Sequence, residues 1–193
     1  MIACRRSRVA VALGTTVVSG VAMVLVLLAG CDGNGDHSSP ASSAPGRTGS
    51  SPTSLAPSGV AAQAAIIAYR GMWNAWVEAG KTSDSESAAL RTYASGDALK
   101  LIVSALLTHK QNQQISLGEP IIDPKVTEVR PAAAPTEATI SDCVNDEKWL
   151  LYKASGGLVN DVPGGRHNMT ATVTATNGIW QVSHFKLGKV GTC

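Results

Sequence analysis

The sequence predicts an α+β domain in which helices come first in the chain and antiparallel strands follow. Apolar residues recur at helical spacing over about residues 60–110, and beyond about residue 113 they alternate with polar residues, as in half-buried strands. Helices and strands that are segregated along the chain are typical of domains in which helices pack on a curved antiparallel sheet. The 135 residues from Gly59 to Cys193 suit one domain.

Three helices are predicted at the start of this domain. The first spans about residues 60–79, with Ser58 as its N-cap and a wide apolar face. The second begins at Ser83-Asp84-Ser85-Glu86, which fits the capping box, and ends near residue 96. The third spans about residues 97–110.

Period-two alternation then predicts a series of strands. Asn177-Gly178 is a strong hairpin signal between the last two of them. The strand before this turn places threonines on one face and apolar residues on the other. The predicted strands lie near residues 113–119, 125–130, 137–144, 149–154, 168–176 and 179–187.

The N-terminus has the parts of a secretory signal. Three arginines precede 22 uncharged residues, Val9 to Gly30, and small residues precede Cys31. Leu28-Ala29-Gly30-Cys31 resembles the lipobox of bacterial lipoproteins. The resemblance implies that Leu28 is the recognised apolar residue, that Ala29 and Gly30 precede the cut, and that Cys31 is lipidated. The alternative is an uncleaved single-pass anchor, because the run is long enough to span a bilayer.

The lipobox resemblance implies a protein held by its lipid at the extracytoplasmic face of the cell membrane. Removal of the signal takes away three of the 16 basic side chains and none of the 14 acidic ones, which leaves a formal charge of −1. The basic balance of the whole chain is therefore no argument for nucleic acid, whose binders carry a basic patch on the folded domain.

A segment with a single large apolar residue separates this signal from the domain. Of the 27 residues from Asp32 to Ser58, 18 are Ser, Thr, Pro or Gly, and Leu55 is the only large apolar residue. Such a composition cannot bury enough surface to fold, so we expect a disordered tether. The chain thus divides into a signal peptide (1–30), the lipidated cysteine and its tether (31–58), and the α+β domain (59–193).

Two cysteines remain in the domain after lipidation, Cys143 and Cys193. In an exported domain we expect them to form a structural disulfide, which would fix the C-terminal tail to the strand at Cys143. The alternative is a redox pair, but no Cys-x-x-Cys motif is present.

Residues 60–193 resemble the NTF2-like (SnoaL-like) domains of secreted actinobacterial lipoproteins. The resemblance rests on the element order, on the aromatic first helix around Tyr69-Arg70-Gly71-Met72-Trp73, and on the closing Trp180…Phe185 strand. It implies a cone in which the first helix and the concave sheet face enclose a cavity. Tyr69, Trp73, Tyr152 and His184 would line such a pocket. The alternative is that the large rings fill the core and that His184 is a surface or hydrogen-bonded core histidine. A homodimer through the open sheet face is a further option.

No motif for catalysis, for a metal or for a cofactor is present, so we expect none of these. The leading hypothesis is a non-enzymatic domain that binds an envelope protein, an envelope polymer or a small apolar molecule. The second is an NTF2-like enzyme of the dehydratase or isomerase type. In it, Asp142 and His184, with Tyr69 or Tyr152, would supply the acid–base groups that the resemblance implies. The third is a passive envelope protein.

Overall fold

The structure is a computed structural model that describes residues 56–193. The predicted signal peptide, the lipobox with Cys31, and all but the last residues of the predicted tether lie outside the described residues. The described chain contains, in order, α1 (Pro57–Gly80), α2 (Ala88–Tyr93), α3 (Gly96–Gln111), β1 (Gln114–Leu117), β2 (Lys125–Arg130), β3 (Glu137–Asn145), β4 (Leu150–Lys153), β5 (Arg166–Thr176) and β6 (Ile179–Leu187). None of these helices is long and apolar enough to span a membrane.

The strands form two antiparallel sheets. The larger has the order β2-β3-β5-β6, and the smaller pairs β1 with β4. Bulges in β2, beside Thr127, and in β6, beside Ser183, interrupt the register. Because bulges bend and twist the strand that carries them, they curve the larger sheet. The predicted α+β class, with N-terminal helices packed on a curved antiparallel sheet, is confirmed.

The long helix α1 fills the space between α2 and the larger sheet. It buries a broad face that includes Ala65, Tyr69 and Met72. Gly71 lies on this helix against α2, where an added Cβ would come within 2.4 Å of the Tyr93 ring. The absence of a side chain at Gly71 therefore sets how closely the two helices pack.

Both predicted N-caps are wrong. The first helix begins at Pro57, after Ala56, because proline suits the first helical position and its missing N–H costs nothing there. Ser58 is inside the helix. Ser83 has a positive φ of 51° and is buried, and its hydroxyl donates to the carbonyl of Gln114 at 2.6 Å. Its side chain thus connects the α1–α2 loop to β1 instead of capping a helix.

The predicted hairpin at Asn177-Gly178 is confirmed, and both residues have positive φ, as a tight hairpin turn requires. Alternation also holds in the two central strands. Along β3 and β5 every second side chain is buried, and the threonines of β5 lie on the opposite face. The core is therefore formed by one face of the sheet together with the helices.

Candidate functional site

Aromatic rings fill the space between α1 and the sheet. Trp73 and Trp76 stack with ring centroids 5.2 Å apart, and Trp149 meets both edge-on. Phe185 of β6 lies 5.9 Å from Trp76. The cavity that Trp73 borders has a volume of about 150 Å³, below the roughly 300 Å³ at which ligand pockets begin. The arrangement favours the alternative in which these rings form the core.

A tyrosine–aspartate pair lies at the centre of this interior. Tyr69 projects from α1 and is fully buried, and its hydroxyl donates to Oδ2 of Asp142 on β3 at 2.8 Å. The other carboxylate oxygen of Asp142 accepts the backbone N–H of Asp123 at 2.8 Å. The Tyr69 oxygen also lies 3.2 Å from the sulfur of Met169. Both carboxylate oxygens of Asp142 thus have donors within the fold.

Burial raises the pKa of Tyr69 well above the ordinary tyrosine value, and the negative charge of Asp142 raises it further. An ionised phenolate in this interior would lose its hydration and would face a carboxylate. Tyr69 is therefore a permanent hydrogen-bond donor at neutral pH and not a general base.

The structure does not bring the other two candidate residues to this pair. Tyr152 lies half-buried on β4 in the smaller sheet. His184 is exposed on β6, because the bulge leaves Ser183 without a cross-strand partner and shifts the alternation. Beyond the bulge it is Phe185 that faces the core. His184 therefore does not line the interior, and the pocket position that the resemblance implied for it is wrong.

A polar groove lies on the side of the larger sheet that faces away from the aromatic rings. It has a volume of about 690 Å³, within the range of ligand-binding clefts. Its centre is the outward face of β3, with β2 on one side and β5 on the other. The lining residues are Ile121, Asp123, Lys125, Thr127, Ser141, Asp142, Cys143, Asn145, Arg166, Asn168, Thr192 and Cys193.

The C-terminal tail forms one wall of this groove. Cys193 is joined to Cys143 by a disulfide with a Cα–Cα distance of 5.9 Å. The backbone N–H groups of Gly188 and Gly191 donate to carbonyls at the start of β5, both at 2.8 Å. The hydroxyl of Thr192 accepts the N–H of Asn168 at 2.9 Å. The predicted disulfide is confirmed, and it attaches the tail to β3 at Cys143.

Sequence reasoning missed a second polar pair beneath this tail. His167 is 8% exposed, and its Nδ1 lies 2.9 Å from the carbonyl of Gly188. Its Nε2 lies 3.1 Å from Oδ1 of Asp146, which also accepts the N–H of Gly165. The alternation of β5 could have revealed this pair, because His167 shares the buried face with Met169 and Ala171.

The described residues contain no group of three or more His, Cys, Asp or Glu side chains that could hold a metal ion. Burial lowers the pKa of His109, in the last turn of α3. A second cavity of about 580 Å³ lies along α3 beside His109, so the groove over β3 is not the only cavity of ligand size in residues 56–193.

Comparison with known proteins adds a likeness of fold. No protein-family profile matches the sequence, and no curated protein matches it significantly. The intermembrane space region of chloroplast protein ARC6 aligns over 66% of this chain and 96% of its own, with 14% identity and a TM-score of 0.42.

Two proteins of Nostoc punctiforme PCC 73102, both described as having a cystatin-like fold and an unknown function, align as well. The first covers 68% of this chain and 79% of its own, with 14% identity and a TM-score of 0.38. The second covers 66% of this chain and 92% of its own, with 11% identity and a TM-score of 0.38. These are likenesses of fold only, and the function proposed below rests on other observations.

Proposed function

We propose that the protein is a lipoprotein anchored at the extracytoplasmic face of the cell membrane, and that its α+β domain binds a ligand or partner without catalysing a reaction. The observation that carries the anchor is Leu28-Ala29-Gly30-Cys31, at the outer end of 22 uncharged residues. Lipidation of Cys31 would attach the chain to the membrane. We also propose that the chain is similar to actinobacterial lipoproteins in having a lipid-modified N-terminus.

The disulfide between Cys143 and Cys193 supports an extracytoplasmic location. Disulfides persist in exported proteins and are rare in the reducing cytoplasm. The tail that this disulfide holds follows the last strand of the sheet and carries no metal-binding or Cys-x-x-Cys motif. These features favour a structural disulfide in an exported domain.

A binding role is favoured over catalysis by the surroundings of Asp142. Its two oxygens are occupied by the Tyr69 hydroxyl and by the Asp123 N–H, so the carboxylate has a structural task. His184, the proposed acid–base partner, is exposed on β6. An acid–base pair must lie within hydrogen-bond reach of the proton that it transfers, and this pair does not assemble in the interior.

The anchor is tested by the intact mass of the protein extracted from membranes, before and after reduction. A chain that starts at Cys31, carries acyl mass and gains two hydrogens on reduction is the expected result. A chain that starts at Met1 without acyl mass would contradict the proposal and favour a single-pass anchor.

A pair of variants sharpens this test. Cys31→Ser should release the domain from the membrane fraction or leave unprocessed precursor, because serine cannot accept the lipid. Cys4→Ser is the matched control, since Cys4 precedes the cut and should leave processing and retention unchanged. Full membrane retention of a processed Cys31→Ser protein would refute lipid anchoring.

A further inference from the structure

We propose that the groove over β3 binds a glycan that carries carboxylate groups, and that the disulfide-held tail is needed to complete this site. The inference deepens the proposed binding function, on which it rests, by naming the class of ligand. Lining side chains and their unused hydrogen-bonding capacity carry the argument.

The groove offers hydrogen-bonding groups that nothing else in residues 56–193 uses. The hydroxyl of Ser141 and the side-chain amide of Asn168 have no hydrogen-bond partner among these residues, and Asn145 uses only its Oδ1. Amides and hydroxyls both donate and accept hydrogen bonds. They therefore match the hydroxyls of a sugar, each of which does the same.

Arg166 supplies the charge that selects a carboxylate. Its guanidinium is exposed, lines the groove, and has no ion pair or side-chain hydrogen bond among the described residues. Lys125, the other cation in the groove, already faces Asp123 at 3.8 Å. An arginine fork binds a carboxylate through two parallel hydrogen bonds. Arg166 is therefore the position at which an acidic sugar would be held.

The two cations stand at opposite ends of the groove. Lys125 pairs with Ser141 on β3, whereas Arg166 pairs with Asn145, four residues further along that strand. Four residues of an extended strand span roughly 13 Å. Amides and hydroxyls of the lining lie along this length, so the groove fits an elongated ligand, held by its charge at Arg166, better than a single small anion.

The same geometry disfavours a peptide. Peptides that bind to sheets gain main-chain hydrogen bonds at an open edge. This groove instead lies over the face of β3, whose backbone is paired with β2 on one side and with β5 on the other. The exposed apolar side chain in the groove is Ile121, so apolar anchor pockets for a peptide are lacking in the described lining.

The tail makes the site dependent on the disulfide. Thr192 and Cys193 form the wall beside Asn168, and Thr192 is held there by the Asn168 N–H. Without the bond to Cys143, the tail would keep only a few hydrogen bonds on exposed residues. The wall would then be ordered only part of the time, and each binding event would have to order it.

The experiment is calorimetric titration of the full chain in detergent with three probes. These are a galacturonic acid hexamer, the same hexamer with every carboxylate methyl-esterified, and a glutamate hexapeptide. We expect the acidic hexamer to bind and the ester to bind about tenfold more weakly, because the arginine–carboxylate pair is lost. Equal binding of the acid and its ester, no binding of the acid, or tighter binding of the peptide would overturn the proposal.

Two variants locate the site. Arg166→Gln should weaken binding of the acidic hexamer about tenfold, whereas Lys153→Gln, an equal loss of charge on β4 outside the groove, should leave it within about twofold. The Cys143→Ala/Cys193→Ala double variant should also weaken it. Equal effects of Arg166→Gln and Lys153→Gln would overturn the site. Thermal unfolding of each variant checks that the domain is folded.

These outcomes are separable from those of the anchoring test. Failure to bind the hexamer leaves membrane retention through Cys31 untouched, and an unlipidated chain should bind the hexamer in detergent as well as the lipidated one.

Discussion

The hydroxyl of Tyr69 donates a 2.8 Å hydrogen bond to Asp142 across 73 residues of sequence. It joins the centre of α1 to the centre of β3, and both residues are buried. A buried carboxylate is costly unless it is hydrogen-bonded. This pair therefore fixes how the first helix lies on the sheet, and it carries the first two predictions.

We predict that Tyr69→Phe lowers the free energy of unfolding by about 1–3 kcal/mol, because Oδ2 of the buried Asp142 loses its hydrogen-bond donor. Urea unfolding at neutral pH measures the loss. Tyr152→Phe is the matched control, since Tyr152 is half-buried and its hydroxyl has no hydrogen bond among the described residues. The control should change stability by less than about 0.5 kcal/mol. Equal effects of the two changes would show that the pair is not stabilising.

Stability should also fall in alkaline solution because of Tyr69. The pKa of Tyr69 is raised in the folded protein. The contribution of Tyr69 to the free energy of unfolding is therefore complete below about pH 10, the pKa of tyrosine in the unfolded chain. Above that pH the unfolded chain loses this proton while the folded protein keeps it. The free energy of unfolding then falls by about 1.4 kcal/mol per pH unit as the pH rises toward the pKa of Tyr69 in the folded protein.

This alkaline effect has a direct check. Urea unfolding of the wild type and of Tyr69→Phe at about pH 8 and at about pH 11 should show that their difference in stability narrows at the higher pH. A difference that stays constant or widens would mean that Tyr69 ionises as readily in the folded protein as in the unfolded chain.

Gly71→Ala is expected to destabilise the protein by about 1–3 kcal/mol, although alanine is the better helix former by about 1 kcal/mol. The new methyl group would lie 2.4 Å from the ring of Tyr93, which must move. In a Tyr93→Ala background the same change should be neutral or stabilising. Thermal unfolding of the four proteins tests this, and destabilisation of equal size in both backgrounds would disprove the contact.

Loss of the disulfide should cost about 2–4 kcal/mol, as expected for a bond that closes a loop of this length. The Cys143→Ala/Cys193→Ala double variant should still fold, because neither cysteine belongs to the core cluster. Amide hydrogen exchange should become faster at Gly188 and Gly191, whose N–H groups the tail contributes. Reductant should destabilise the wild type and leave the double variant unchanged, and the opposite pattern would contradict this account.

The sequence predicted the elements better than their ends. Alternation along β5 correctly placed its apolar residues on the core face, opposite the threonines. Ser83 was misplaced, since a capping box and a buried loop serine look alike in sequence. Whether His184 faces a pocket or the surface stayed open in the sequence, because its exposure depends on a bulge, and a bulge depends on cross-strand pairing that a single strand does not encode.

For this protein, local patterning by itself determined the order of helices and strands, the hairpin at Asn177-Gly178 and the pairing of the only two cysteines in the domain. These depend on residue spacing and on backbone preference, which act over a few residues, and on the small number of cysteines. The partners of Tyr69 and His167, and the groove beside Arg166, were decided by tertiary structure. Each needs side chains from distant segments to meet, and which segments meet depends on how the sheet curves and how the core packs.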